Sequence, residues 1–325
     1  MSVSPSQNNS PFKTFPGKFG AFNEKFDTAI KAANNILDSF IFKWINEQGC
    51  AYEIRIMVNN ETFYIKCEPS KEASCDHHTG EEDGNIGTTP YCKEEFEETY
   101  DVTAFKMLRH FAMIRDSVIK DVQIVLPPVP AVFPSSLQWR PQNLTVEVDK
   151  SIINKTFVGN WLNNILPPSE VESLTINSPH SVMLKSNIKN MEKITNLTIN
   201  AKAEINLLFL SKFSNMNLIY NQKESESPIS LDSFVTYWTN LKQETGEYRR
   251  RIEFNCKHSL SNRKNLKSRI YYKGGIVVKD DGQYGIHEPE NQHLKRTFLF
   301  DEEHLLIDVD TKKKINEENA PNLTQ

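Results

Sequence analysis

Four stretches decide the fold: Asn143-Leu-Thr-Val-Glu-Val148, Glu172-Ser-Leu-Thr-Ile-Asn177, Thr195-Asn-Leu-Thr-Ile-Asn200 and Met216-Asn-Leu-Ile-Tyr-Asn221. Each carries a leucine, one intervening residue, a β-branched or aromatic residue, and then a residue that is usually Asn. In a strand, successive side chains alternate between faces. The leucine and its apolar partner therefore share one face, and the Thr and Asn positions share the other. Leu144, Leu174, Leu197 and Leu218 are 30, 23 and 21 residues apart. Between the stretches, apolar spacing predicts helices over Thr156–Leu166, Val182–Met191 and Glu204–Phe213.

One strand and one helix per unit, at this period, predicts a leucine-rich-repeat-like solenoid. A single such unit cannot bury its apolar face, whereas a stack of them builds a continuous core. The expected fold class is α/β: an N-terminal helix and hairpin region, then the strand–helix solenoid, then a C-terminal β-hairpin cap.

Working outward, residues 1–20 are a polar tail expected to be disordered. Apolar positions from Phe26 to Trp44 recur at three- and four-residue steps and predict one long helix over Asn23–Asn46. Tyr52–Val58 and Thr62–Cys67 flank Asn59-Asn60-Glu61 and predict a β-hairpin, because Asn tolerates positive φ. Residues 69–90, rich in Gly, Glu, Asp and Thr, predict an exposed loop. A helix over 93–114 and a strand over Asp121–Leu126 follow. Pro127, Pro128, Pro130 and Pro134 then mark a boundary. Residues 21–126 form the first region and 138–310 the second. In the second, a helix is predicted from Ser230 to Leu241 and a strand over Tyr248–Phe254. A hairpin turns at Asp281-Gly282, and closing strands run over Thr297–Phe300 and Leu305–Val309. Residues 311–325 form a polar tail.

Composition narrows the function. The chain has 325 residues, 38 Lys+Arg against 42 Asp+Glu, and a net charge of −4. That balance argues against a bulk polyanion binder. No run approaches the length of apolar sequence needed to span a bilayer. The Ser/Asn/Pro-rich start has no apolar core of a secretory leader. Five cysteines, Cys50, Cys67, Cys75, Cys92 and Cys256, form an odd and irregular set, which reads as reduced thiols in the cytoplasm or nucleus. Six Asn-x-Ser/Thr sequons, at Asn8, Asn60, Asn143, Asn154, Asn196 and Asn322, read as incidental in an Asn-rich chain.

Cys67, Cys75, His77, His78 and Cys92 hold the only metal-ligand chemistry. Their spacing does not match the paired ligands of a zinc knuckle, so no metal is expected. Phosphate-binding loops, dinucleotide fingerprints and nucleophile elbows are absent from the sequence, so no catalytic residue, enzymatic activity or cofactor is assigned. Arg249-Arg250-Arg251, with Lys257, Arg263, Lys264, Lys267 and Arg269, forms the main basic cluster. It supports an alternative reading as an RNA-binding protein using residues 249–269, although no interleaved aromatic residues accompany it, and nucleic acid is not the expected partner. A hydrolase or transferase needs converging titratable groups that the sequence does not display.

The order of Leu-x-Ile strands, then Ser230-Leu-Asp-Ser-Phe-Val-Thr-Tyr-Trp238, then Ile276-Val-Val-Lys-Asp-Asp281-Gly282 with Ile286, resembles the type 2 F-box-associated region of nematode F-box proteins. Related nematode domains of unknown function share that layout. Trp238, Asp281 and Gly282 are the positions matching the family motif. The resemblance implies a non-catalytic protein–protein interaction module that recognises a target for a cullin-type ubiquitin ligase. An F-box is a three-helix module, and residues 1–50 offer Phe15-Pro16 and one long helix in its place. Contact with a Skp-type adaptor and cullin is expected only if an F-box is present. The expected partner-binding positions are the outward residues of the repeat strands: Thr145, Glu147, Thr175, Asn177, Thr198 and Asn200.

Overall fold

The protein is described here from a computed structural model, which describes residues 19–45, 51–70, 72–79, 92–95, 98–112, 117–127, 138–205, 207–210, 216–226, 249–257, 276–280, 283–287, 294–300 and 304–311. The fold is mixed α/β, dominated by parallel and antiparallel strands with few helices. The chain divides into two compact units, residues 1–151 with 164–171, and residues 152–163 with 172–325.

The first unit opens with helix α1 (Gly20–Ala32), which buries Phe22, Phe26, Ala29 and Ile30 at helical spacing. The single helix expected over Asn23–Asn46 is corrected here. It stops at Ala32, and strand β1 (Ile36–Ile45) follows. Asn34 and Asn35 have φ of 53° and 60°, the left-handed conformation that breaks a helix. Leu37, Phe40, Phe42 and Trp44 are then buried on β1.

Strands β2 (Ala51–Val58) and β3 (Glu61–Cys67) form the expected hairpin. Its two-residue turn places Asn59 and Asn60 at φ of 50° and 64°, the type I′ signature. The loop expected over 69–90 instead contains strand β4 (Glu72–Thr79), paired with β3. The helix expected from residue 93 is likewise divided. Strand β5 (Cys92–Glu95) comes first, and helix α2 (Tyr100–Ala112) begins later. Strands β6 (Val118–Leu126) and β7 (Pro141–Val148) complete this unit, both parallel to their neighbours, in the order β7-β6-β1-β2-β3-β4-β5. Phe22 and Phe26 of α1 meet Phe63 of β3 and Phe111 of α2 edge-to-face, with centroids 5.0–6.0 Å apart. Such pairs add about 0.5–1.5 kcal/mol each beyond their burial. Trp139 donates its indole N–H to the carbonyl of Ile165 at 2.8 Å.

The second unit carries the Asn-ended strands. Strand β8 (Val171–Asn177) lies beside β10 (Ile194–Asn200). β10 runs parallel to β12 (Met216–Glu226), and β12 parallel to β13 (Arg249–Lys257). Leu197 faces Leu218 and Ile199 faces Tyr220 in register. Leu174, Leu197 and Leu218 are fully buried. Beyond β13 the sheet turns antiparallel through β17 (His304–Thr311), β16 (Leu294–Phe300), β15 (Gln283–His287) and β14 (Ile276–Asp280). β14 and β15 are the hairpin expected around residues 281–282, which themselves lie outside the described residues.

The connections between rungs correct the strand–helix repeat. Only the first expected helix forms over nearly its expected length, as α3 (Phe157–Ile165). Residues 182–193 instead give strand β9 (Val182–Leu184) and a single 3-10 turn (Met191–Lys193). Residues 203–210 give strand β11 (Ala203–Ile205) and the one-turn helix α4 (Leu207–Leu210). β9 and β11 pair as a separate two-stranded parallel sheet. Gly159 of α3 sits so close to this ribbon that a Cβ would lie 3.3 Å from the Met183 carbonyl oxygen. The expected helix from Ser230 to Leu241, including Trp238, lies outside the described residues.

Candidate functional site

Alternation along β8, β10, β12 and β13 turns their polar positions to one face, where they are partly or fully exposed. Register aligns these positions into rows. Asn196, Asn217 and Arg251 make one row, and Thr198, Ile219 and Glu253 the next. Thr175, two residues before Asn177, stands on the same face as Thr198, two residues before Asn200.

The last row is hydrogen-bonded along its length. Asn200 donates its Nδ2 to the Oδ1 of Asn177 at 2.8 Å. Asn221 donates to Asn200 at 3.1 Å, and Asn255 donates to Asn221 at 2.8 Å. A shorter ladder runs in the row of Asn196, where Asn217 donates to Asn196 at 3.3 Å. Asn196 in turn donates to the backbone carbonyl of Glu172 at 3.0 Å. Every amide in both rows donates toward β8, so the dipoles align and polarise one another. Asn is disfavoured in strands, and its recurrence here is explained by this side-chain pairing.

Arg251 and Glu253 are paired at 3.4 Å, and Asn255 also donates to Glu253 at 3.4 Å. Burial pushes the Tyr220 phenol, on the opposite side of β12, above its ordinary range.

The structure thus joins Asn177 and Asn200 directly and places Thr175 and Thr198 beside them. Thr145 and Glu147 stand on β7 in the first unit, opposite Gln123 and Val125 of β6, on a face that also carries Ile41 and Lys43. Trp238, Asp281 and Gly282 lie outside the described residues. Sequence reading missed Asn217, Asn221 and Asn255 as members of the array. Asn221 was readable as the terminal residue of its repeat. Asn255 sits in a strand without the Leu-x-Ile signature.

Cysteine chemistry corrects another expectation. Cys75, fully buried on β4, is disulfide-bonded rather than reduced, and Cys92 stands opposite it in the β4–β5 register. Cys67 and Cys256 are free and buried. The Cys67 sulfur lies 3.5 Å from the Met107 sulfur, and burial pushes its thiol far above the ordinary value.

Elsewhere, His77 shares a 2.6 Å hydrogen bond with Glu61 and lies against the Phe63 ring, with centroids 4.6 Å apart. An open pocket of about 410 Å³ borders Met183, Leu184, Lys185, Glu204 and Ile205. Glu204 is held there by Lys155 at 2.8 Å. Among the described residues, no cluster of three or more His, Cys, Asp and Glu side chains is arranged to hold a metal ion. No helix among them is long and apolar enough to cross a membrane. No family model, curated protein or solved structure matches the chain.

Proposed function

We propose that the second unit is a protein-interaction module, with a leucine-rich-repeat-like strand array that presents its polar face to a protein partner. One observation carries this reading. The polar face of β8, β10, β12 and β13 is partly exposed, its rows are aligned by strand register, and one row is tied across all four strands by asparagine hydrogen bonds beside Thr175, Thr198, Ile219 and Glu253. Bracing lowers the entropy lost by side chains on association. Asn177 and Asn200 then act mainly as the brace, and the neighbouring row supplies the contacts.

Recruitment of a cullin-type ligase is the finer part of the same reading, and it rests on the family resemblance alone. It requires adaptor and cullin among the captured proteins.

Thr175→Arg with Thr198→Arg places two long cations on the face without touching the core. Affinity capture with mass spectrometry should recover a specific partner with the wild-type chain and lose it with this variant, while circular dichroism stays unchanged. A partner set identical in both overturns the reading.

A further inference from the structure

The six sequons look alike in the sequence, and the folded chain separates the four that lie in described residues. Asn143 commits its Nδ2 to the Asp121 carboxylate at 2.9 Å. Asn196 commits its Nδ2 to the Glu172 carbonyl and its Oδ1 to Asn217. A glycan on either nitrogen would take one of its two hydrogens and set a sugar beside a bond that links neighbouring strands. Asn154 differs. It is exposed in the segment that leads into α3. Its Oδ1 accepts both the backbone N–H and the hydroxyl of Thr156, each at 3.0 Å. This is an Asx-turn closed by the sequon's own threonine. The carboxamide oxygen is thereby occupied, and among the described residues its Nδ2 donates to nothing. Asn60 is also exposed, at the tip of the β2–β3 turn.

A second observation concerns the compartment. Cys75 is in a disulfide, a bond that persists in oxidising compartments and is rare in the cytosol. Oxidising lumens are also where sequons meet the glycosylation machinery.

We propose that Asn154 is an N-glycosylation site, modified from a lipid-pyrophosphate-linked oligosaccharide. In the transfer, Nδ2 forms a bond to the anomeric carbon of the first sugar as the bond from that carbon to the pyrophosphate oxygen breaks. The electron pair leaves with the lipid pyrophosphate, one amide proton passes to a base, and nothing is oxidised or reduced. The glycan leaves Oδ1 free to keep both Thr156 bonds, so modification and the start of α3 are compatible. Asn60 is open to the same chemistry, whereas Asn143 and Asn196 stay bare in the folded protein. This inference leaves the interaction face as described, but that face would then meet its partner in the lumen or outside the cell, which excludes the cullin-ligase part of the proposed function.

The test uses the full-length chain recovered from the cells that make it. Peptide-N-glycosidase digestion in heavy-oxygen water, followed by peptide mapping, converts a glycosylated Asn to labelled Asp. Label at position 154 with none at 143 or 196 is the expected result, and an unlabelled peptide carrying Asn154 overturns the proposal. Expressed in the same cells, Thr156→Ala should lose the Asn154 label and Thr156→Ser should keep it. Label retained in Thr156→Ala also overturns it. Both readouts are separate from partner capture, so either proposal can fail alone.

Discussion

Asn200 and Asn221 stand opposite one another on β10 and β12 and are joined by a hydrogen bond of 3.1 Å donated by Asn221. Asn200 passes a second bond to Asn177, so removing its amide breaks the row at two places. Asn200→Ala should lower stability by about 1–3 kcal/mol, one to two hydrogen bonds' worth. Thr198→Ala, on the same strand and face, should stay within about 0.5 kcal/mol. Urea unfolding of the two variants makes the comparison. Equal midpoints would show that the ladder does not contribute to stability.

The reverse side of β10 makes a different demand. Leu197 is fully buried opposite Leu218. Leu197→Ala leaves a cavity and should cost about 2–5 kcal/mol. The same unfolding series measures it, and a loss below that of Asn200→Ala would contradict the packing described for this strand.

Acid should weaken the first unit through His110. Burial on α2 holds the His110 pKa below its ordinary value, against an opposing pull from Asp27. The folded state thus prefers the neutral ring. Stability is fully present above the unfolded value of about 6.5 and is lost as pH falls from there toward the folded pKa. His110→Gln should flatten the decline in unfolding midpoint between about pH 7 and the folded pKa. An unchanged slope would assign the decline to other groups.

At lower pH the sensitive group is Asp38. Its carboxylate accepts from Lys120 Nζ at 2.6 Å and from the Asn59 backbone N–H at 2.9 Å. The Lys120 bond is the largest cause of a lowered pKa; burial opposes it, and the Asn59 bond and the Lys120 charge add smaller pulls in the lowering direction. This stability is present above about pH 4 and is lost as pH falls through the folded value. Both side chains are well exposed, so Asp38→Asn should cost only about 0.2–1 kcal/mol near neutrality. The cost should vanish in strong acid, which acid titration of the two proteins by circular dichroism will show.

The cysteines should respond unequally to alkylation. Cys67 and Cys256 are buried, and the raised Cys67 pKa keeps its nucleophilic thiolate scarce. Iodoacetamide should leave both unmodified in the native protein and label them once it is unfolded. Cys75 should resist labelling even after unfolding until a reductant is added. Labelling of Cys75 without reductant would overturn its assignment as a disulfide residue.

The pattern of Leu, one residue, an Ile or Tyr, and then Asn made β8, β10 and β12 readable because period-two burial and a repeated terminal residue point to the same elements. The hairpin at Asn59-Asn60 was readable for a local reason, since few residues accept consecutive positive φ values. β1 was misread because Phe40, Phe42 and Trp44 alternate, while Ile36, Phe40 and Trp44 also match a helical spacing. Only Asn34-Asn35, a break in the middle of the run, distinguished the two. The helix expected after β8, and the start of the one expected after β10, had apolar residues enough, but Val182–Leu184 and Ala203–Ile205 found strand partners in each other. That pairing depends on contacts distant in sequence. The ladder itself was half visible. The asparagines were in view, while their bonding depends on register, which no single strand contains.

The common direction of the amide bonds gives the array a simple rule of growth. A rung ending in Asn offers its neighbour on one side an acceptor and takes from its neighbour on the other a place to donate. Any inserted copy therefore finds its side-chain bonds waiting, and any deleted one lets the rungs on either side join without reorientation. Rung number can then change by duplication or loss of a short gene segment while the bonding scheme stays intact, and related chains can differ in the reach of this face without redesigning it.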